Sequence, residues 1–176
     1  MPEPTTTAKT TVRPAVATDS GDVARVQVQG WHEAYTGRMP QAILDGLDVE
    51  SSEPGWRRTI EDGPSRYDTH LWVAQHDGVV VGFVCAGPGR DDDGVPGRRE
   101  VYAIYVLAEH YGSGAGQALL DAAIGDDAAS LWVLEDNPRA RAFYARNRLV
   151  PDGAVKDDDR WGEPIREVRL VRGAAG

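Results

Sequence analysis

The sequence is poor in three features that would each point to a particular class of protein. Cys85 is the single cysteine, which excludes an internal disulfide framework, and the apolar residues beside it indicate a buried, unreactive thiol. No stretch approaches the roughly 18 consecutive apolar residues that a membrane span needs. Basic residues number 19 against 28 acidic ones, for a net charge of -9, which repels a nucleic-acid backbone. We therefore expect a cytoplasmic protein with no membrane or nucleic-acid partner.

The chain has 176 residues, 41% of them apolar, which suits one domain with its own core and no need for a metal. We expect a flexible tail over residues 1–10 and a single domain over residues 11–172. Two acidic runs, Asp91 to Asp93 and Asp157 to Asp159, lie among glycine and proline and are predicted to be solvated loops. The alternative is a rim that attracts a cationic amine.

Local patterns predict helices and strands in alternation. A long loop from Gly87 to Arg99 is rich in Gly, Asp, Pro and Arg and interrupts the pattern. The predicted elements are, in order, a strand over 11–16, a helix ending near Tyr35, a helix opened by Pro40, a further helical turn or two around Trp56 and Ile60, strands over 71–74 and 79–84 joined by a hairpin at Asp77-Gly78, a strand over 101–106, a helix over 117–124, a strand over 131–134, a helix over 138–147 and a strand over 165–171.

A glycine-rich turn connects the strand over 101–106 to the next helix. Gly112, Gly114 and Gly116 permit backbone angles that other residues resist, and the first amides of a helix are unpaired and carry a partial positive charge. Such a loop can hold a phosphate or pyrophosphate, although a simple tight connection is the alternative. A Walker A loop is excluded because Gly-Gln-Ala stands where Gly-Lys-Ser/Thr is needed, and Leu119 replaces the third glycine of the dinucleotide pattern.

A second junction of strand and helix lies downstream at Asn137, whose side chain either caps the helix or binds a ligand amide. Together, Val106 to Leu120 and Asn137 to Tyr144 resemble the acetyl-CoA site of the GNAT superfamily of N-acetyltransferases. The loop of that family reads Arg or Gln, two residues, Gly, one residue, then Gly or Ala. Gly114 and Gly116 match its glycines, whereas Tyr111 stands at the Arg or Gln position and puts one side-chain contact to the pyrophosphate in doubt.

The resemblance covers the order of elements from about Thr11 to Arg172. It implies an α/β (α+β) fold with a mixed, strongly bent central sheet flanked by helices. It also implies acetyl-CoA as cosubstrate, an amine of a small molecule or protein as acceptor, no metal, and a homodimer as a common arrangement. By resemblance, the contacts to acetyl-CoA are made by Ile104, Tyr105, Val106, Tyr111, Gly112, Ser113, Gly114, Ala115, Gly116, Gln117 and Asn137.

Acetyl transfer to an amine needs one group to take the amine proton and another to protonate the departing thiolate. By resemblance, Tyr144 protonates the sulfur, since a phenol is protonated at neutral pH; packing beside Phe143 is the alternative. Glu100, at the start of the central strand, is the candidate base. It could equally be a solvated loop residue, with a chain of water molecules taking the proton.

The acceptor pocket is expected beside the N-terminal helices, with Trp31, His32 and Tyr35 as wall residues or, alternatively, as core residues. Two other interpretations of the whole chain stay open. The first is a non-catalytic acyl-CoA-binding or regulatory module with the same fold, and the second is an unrelated α/β protein whose loop holds a phosphate. Tyr144 favours the enzyme.

Overall fold

The computed structural model describes residues 10–92, 97–159 and 164–174. The helices are α1 (Ser20–Tyr35), α2 (Gln41–Asp45), α3 (Val49–Tyr67), α4 (Ala115–Ile124) and α5 (Pro138–Arg146). The strands are β1 (Thr10–Pro14), β2 (His70–His76), β3 (Val79–Pro88), β4 (Arg99–Val106), β5 (Ala129–Leu134), β6 (Val150–Asp158) and β7 (Ile165–Arg172). Short 3-10 turns occupy Ala17–Asp19 and Ala108–His110.

A seven-stranded mixed sheet runs through the molecule in the order β1-β2-β3-β4-β5-β7-β6. β1 to β4 pair antiparallel in succession, β4 and β5 pair parallel, and β5, β7 and β6 pair antiparallel. The β2–β3 hairpin turns at Asp77 and Gly78, whose φ angles of 50° and 83° suit a two-residue type I′ turn. The predicted fold of a mixed sheet flanked by helices is confirmed, as is this hairpin.

Two apolar clusters lie on opposite faces of the sheet, and β3 contributes alternate residues to both, as the pleat of a strand requires. Val84 of β3 belongs to the cluster under α4 and α5, with Leu119 and Leu131. Phe83 of β3 belongs to the cluster under α1 and α3, with Val23. Because β3 is buried on both faces, it forms the centre of the core.

Helix α1 approaches the sheet closely at Gly30. A Cβ placed on Gly30 would lie 3.2 Å from a ring carbon of Tyr105 on β4, so the absence of a side chain lets the helix reach that strand. The helix begins just after Asp19, which forms a 2.7 Å ion pair with Arg13 and accepts the Val16 amide proton at 2.8 Å. The pKa of the Asp19 carboxyl is lowered by its hydrogen bond from Arg13.

Helix α3 is much longer than the turn or two predicted around Trp56 and Ile60. It contains Pro54 and Pro64, which normally interrupt helices because proline lacks an amide proton. The helix begins at a side-chain cap, since Asp48 accepts the Ser51 amide proton at 2.8 Å. The Trp56 ring packs edge-on to Phe83, with 5.0 Å between centroids, so tertiary packing holds this helix despite its prolines.

The prediction that Asp157 and Asp158 belong to a solvated loop is wrong, because both lie in β6, opposite Arg166 and Ile165 of β7. β6 is an edge strand with an irregular register between Pro151 and Val155. Proline, charge and irregular pairing are typical of edge strands, and they hide such a strand from a search for alternating apolar residues. Cys85 is buried, as predicted, and this burial raises the pKa of its thiol to about 12.

Candidate active site

The turn between β4 and α4 has the backbone geometry that its glycines predict. Gly112 and Gly114 have φ angles of 78° and 86°, a region that side-chain-bearing residues seldom adopt. Gly114 is the N-cap of α4, and the Ala115 amide donates to the Ser113 hydroxyl at 3.3 Å. The amides of Gly116 and Gln117 belong to the first turn of α4 and have no carbonyl acceptor within the helix. The turn therefore presents open backbone amides to an anionic ligand.

Strands β4 and β5 part from each other below this turn. They pair only through Arg99, Glu100 and Val101 with Ala129, Ser130 and Leu131, although both strands continue for several residues. On its other side β4 stays paired with β3, with a register shift that leaves Tyr102 as an extra residue, and such a bulge bends a strand. The edge of β4 over Ile104, Tyr105 and Val106 therefore faces the fork with backbone groups that β5 does not use.

A cleft of about 750 Å³ extends from the fork to the glycine turn, a size in the usual range for small-ligand sites. Most of the side chains and backbone groups that sequence predicted for this site line it. They are Trp31, Tyr35, Glu100, Ile104, Tyr105, Val106, Tyr111, Gly112, Gly114, Gly116, Gln117, Asn137 and Tyr144. The structure thus brings together residues from α1, β4, α4 and α5.

Three predicted residues are not in the cleft lining. Ala115 is 1% exposed and belongs to the core under α4. Ser113 is exposed, and its hydroxyl accepts the Ala115 amide proton. His32 follows Trp31 on α1 and lies about 100° from it around the helix axis, so the two side chains leave the helix in different directions.

Asn137 occupies the junction of β5 and α5 and is 6% exposed. Its side-chain oxygen accepts the Ala140 amide proton at 3.1 Å, which caps α5. The capping alternative raised by the sequence is therefore realised, and the carboxamide NH₂ has no protein acceptor among the described residues. Because Asn137 also lines the cleft, a cap and a ligand contact are compatible at this position.

Tyr144 on α5 is 8% exposed and packs edge-on to Phe143, with 5.3 Å between ring centroids. Burial raises the pKa of Tyr144 well above its ordinary value, and the charge of nearby Arg139 partly opposes this rise. Burial also raises the pKa values of Tyr35 and Tyr105, two further tyrosines that line the cleft. All three hydroxyl groups are therefore protonated at neutral pH and able to donate a proton or a hydrogen bond.

Glu100 is 2% exposed, and Arg90 occupies its carboxylate. The Arg90 side chain donates to one oxygen at 2.7 Å from Nη2 and 3.3 Å from Nε, and the Arg90 main-chain amide donates to the other oxygen at 2.8 Å. The Arg90 guanidinium also lies 3.9 Å from the ring centroid of Tyr102. Glu100 is thus a buried charge paired with the start of the loop after β3, rather than a solvated loop residue.

Asp91 is likewise not a solvated loop residue, contrary to the prediction for its acidic run. Its carboxylate accepts from Nε1 of Trp132 at 3.2 Å and pairs with Arg169 at 3.1 Å. Arg169 is also paired with Asp152 at 2.6 Å. Asp93, from the same run, lies outside the described residues. These contacts fix Arg90 and Asp91 against β4, β5 and β7, beside the cleft.

Sequence reasoning missed Arg90, Arg139 and Arg146, all of which line the cleft. The Arg139 guanidinium lies 3.8 Å from the ring centroid of Tyr111. A signal for the two α5 residues was present, since Arg139 and Arg146 are seven positions apart and a helix brings such positions to one face. No comparable signal existed for Arg90, whose partner Glu100 lies across the long loop.

Comparison with known proteins agrees with this geometry. A family model described as "Acetyltransferase (GNAT) family" matches residues 30–148. The uncharacterized N-acetyltransferase YuaI of Bacillus subtilis is 36% identical over 169 residues, which is 91% of each chain. An uncharacterized N-acetyltransferase of Archaeoglobus fulgidus is 31% identical over 150 residues, covering 78% of this chain and 91% of its own.

The fold is shared with the PaiA N-acetyltransferase from Thermoplasma acidophilum, whose crystal structure contains coenzyme A. The two structures match with a TM-score of 0.66 and 17% sequence identity, over 91% of this chain and 98% of PaiA. Among the described residues, no helix is long and apolar enough to cross a membrane. Because the family model matches most of the chain and the two relatives align with it over most of their length, this chain belongs to the acetyltransferase (GNAT) family and is an acetyl-CoA-dependent N-acetyltransferase.

Proposed function

We propose that the cleft transfers an acetyl group from acetyl-CoA to a primary amine of a small-molecule or protein acceptor, by direct attack of the amine on the thioester. The observation that supports this most strongly is the fork between β4 and β5 next to the open glycine turn. An extended chain that carries amides can pair with the free edge of β4, while a pyrophosphate attached to that chain reaches the turn.

The residues present fit acetyl-CoA at both ends of the cleft. Open space surrounds Gly112 and Gly114, where an added Cβ would meet no atom within 4 Å, so a phosphate has room to approach the amides. Ile104, Tyr105 and Val106 would bind the pantetheine arm through the backbone, and the NH₂ of Asn137 would donate to one of its carbonyl groups. Acetyl-CoA supplies an activated thioester, whose sulfur leaves as a thiolate.

Tyr144 is our candidate for the acid that protonates this sulfur. It is buried, it lines the cleft, and its hydroxyl has no hydrogen-bond partner among the described residues, so its proton is free for a ligand. The raised pKa keeps the phenol protonated before transfer. Packing against Phe143 holds the ring in place and does not compete with this role.

Two routes remain for the amine proton, Glu100 or a chain of water molecules. The contacts to Arg90 favour water, because both carboxylate oxygens of Glu100 already accept hydrogen bonds, two from the Arg90 guanidinium and one from the Arg90 main-chain amide. In this proposal Glu100 is a positioning residue that holds Arg90 at the wall of the cleft. Trp31 and Tyr35, with 5.3 Å between ring centroids, form the opposite wall near the acceptor.

Thermal unfolding with acetyl-CoA, CoA or ATP, followed by a thiol-release assay over a panel of amines, tests the proposal. A ligand at 100 times its Kd should stabilise the fold by about 2.7 kcal/mol, so acetyl-CoA and CoA should raise Tm and ATP should not. Thiol release with at least one amine supports transfer. Binding without release from any amine would instead support the non-catalytic module, and stabilisation by ATP alone would support an unrelated phosphate-binding protein.

Several properties expected from the sequence stay predictions: the cytoplasmic location, the homodimer, the single domain over 11–172, and the exclusion of metal and nucleic acid. The acceptor itself is to be found by the amine panel. A cationic small molecule and a protein amino group are both kept in that panel, since the net charge of -9 attracts cationic molecules in general.

A further inference from the structure

Helix α5 presents two arginines to the cleft at opposite ends of one helical face. Arg139 lies in its first turn and Arg146 is its last residue, and both line the cleft. Seven residues correspond to about two helical turns, or about 10 Å along the axis. The two guanidinium groups are thus presented to the same space with a separation suited to two anionic groups on one ligand.

Neither arginine has a carboxylate partner within the part of the chain that the structure describes, whereas Arg13, Arg57 and Arg90 each have one. Arg58, exposed on α3, also has no carboxylate partner among the described residues, so what distinguishes Arg139 and Arg146 is that their unpaired charges line the cleft. Arg139 is instead held over the ring of Tyr111, at 3.8 Å from its centroid. A cation–π contact orients a guanidinium without neutralising its charge.

Helix α5 runs alongside the glycine turn from end to end. At one end Arg139 contacts Tyr111, the first residue of the turn. In the middle, a ring carbon of Phe143 lies 3.7 Å from where a Cβ of Gly116 would be. At the other end Nε2 of Gln117 donates to Oδ1 of Asn147, the neighbour of Arg146, at 2.7 Å. The two arginines therefore bracket the open amides of the turn.

We propose that this arginine pair is a phosphate-binding device, in which Arg139 on the Tyr111 ring supplies the cationic contact that residue 111 itself lacks, and Arg146 binds the 3′-phosphate of CoA. The proposal rests on the acetyl-CoA site proposed above. CoA carries a pyrophosphate and a separate 3′-phosphate, and guanidinium groups bind phosphate oxygens in paired hydrogen bonds. The pyrophosphate would lie over the amides, between the two arginines.

Calorimetric titration with CoA and with 3′-dephospho-CoA separates the two arginines. Arg139→Gln should weaken binding of both ligands by about ten-fold. Arg146→Gln should weaken binding of CoA by a similar factor and leave dephospho-CoA unchanged, so that the preference of the wild type for CoA disappears. Arg58→Gln, at an exposed arginine of α3 outside the cleft lining, is the matched control and should bind both ligands like the wild type.

Rescue tests the role of Tyr111. In the Arg139→Gln background, Tyr111→Arg should restore most of the lost affinity, because it returns a cation to the same end of the turn. In the wild type, Tyr111→Leu should weaken binding and Tyr111→Phe should not, since phenylalanine keeps the ring under Arg139. If Tyr111→Leu weakens binding equally with and without Arg139, the ring does not act through the guanidinium and this part of the proposal is overturned.

The outcomes also distinguish this proposal from the function on which it rests. If the wild type binds neither CoA nor dephospho-CoA, the proposed function fails. If both bind tightly and neither Arg139→Gln nor Arg146→Gln changes the affinity, only the arginine pair is overturned. Thermal unfolding of each variant without ligand shows whether it is folded, and we expect all to be, because both arginines are exposed.

Discussion

Replacing Tyr144 with phenylalanine should remove a proton donor while leaving the protein folded. The ring fills a buried position beside Phe143, and phenylalanine preserves that packing. The hydroxyl makes no hydrogen bond to another described residue, so the loss does not reach the roughly 0.5–1.5 kcal/mol of a typical intramolecular hydrogen bond. We therefore expect the free energy of unfolding to change by less than that amount, and binding of acetyl-CoA to stay the same.

Turnover should fall far more than stability. Loss of a positioned general acid typically slows a reaction by roughly 10²–10⁴-fold, which corresponds to about 2.7–5.5 kcal/mol in the barrier. The raised pKa of Tyr144 also has a consequence for the wild type. Because the phenol keeps its proton above its ordinary pKa, ionisation of Tyr144 should not reduce the rate up to about pH 10.

The measurement is thiol release at saturating acetyl-CoA and amine, with a single-turnover experiment in case product release limits the rate. Tyr67→Phe is the control, since Tyr67 is 65% exposed at the end of α3 and outside the cleft lining. If Tyr144→Phe transfers acetyl within about three-fold of the wild type in a single turnover, a difference below about 0.7 kcal/mol, Tyr144 is not the acid.

Three further predictions concern the turn, the buried ion pair and the buried thiol. Gly114 and the control Gly153 have φ angles of 86° and 94° and lie in open space, so replacing either with alanine should cost about 1–2 kcal/mol of stability in urea unfolding. Only Gly114→Ala should also weaken acetyl-CoA binding. If the two variants bind acetyl-CoA equally well, the turn does not hold the ligand. Glu100→Gln should lower turnover by less than the roughly 10²-fold that is typical of a lost base, and the pH–rate profile should keep its shape. If the variant instead loses the acidic limb of that profile, Glu100 is the base. Burial raises the pKa of the Cys85 thiol from 9.0 to about 12, so as pH rises the thiol ionises first in the unfolded protein. The free energy of unfolding should therefore fall above about pH 9, by up to about 1.4 kcal/mol per pH unit. Urea unfolding at about pH 8 and about pH 10 should show a larger loss in the wild type than in Cys85→Ala, and parallel losses would contradict the assignment.

The elements that sequence predicted well are those whose side chains are buried on a regular period. The helix over 117–124 and the strand over 101–106 appear within a residue or two of their predicted bounds, because one face of each packs into the core. Helix α3 was predicted too short and strand β6 was missed, for a shared physical reason. Their local composition favours turns, and packing of Trp56 or pairing with β7 overrides it.

The glycine turn, where we propose that acetyl-CoA binds, was predictable for a different reason, which is that its proposed function resides in the backbone. Gly112 and Gly114 permit positive φ angles whatever surrounds them, so the residue type alone indicates the turn. The side-chain contacts around the turn were not predictable in this way. That Arg139 lies on the Tyr111 ring depends on the distance between α5 and the glycine turn, and no local pattern carries that distance.

The end of the cleft that we propose for the acceptor was not predictable from local sequence patterns. Its wall is assembled from contacts between residues far apart in the chain: Arg90 with Glu100, and Asp91 with Trp132 and Arg169. Each of these contacts depends on how the loop after β3 packs against β4, β5 and β7, and no local pattern carries that information. The residues that we expect to select the acceptor therefore lie outside the glycine turn and the Asn137 junction, which carry the resemblance to the family.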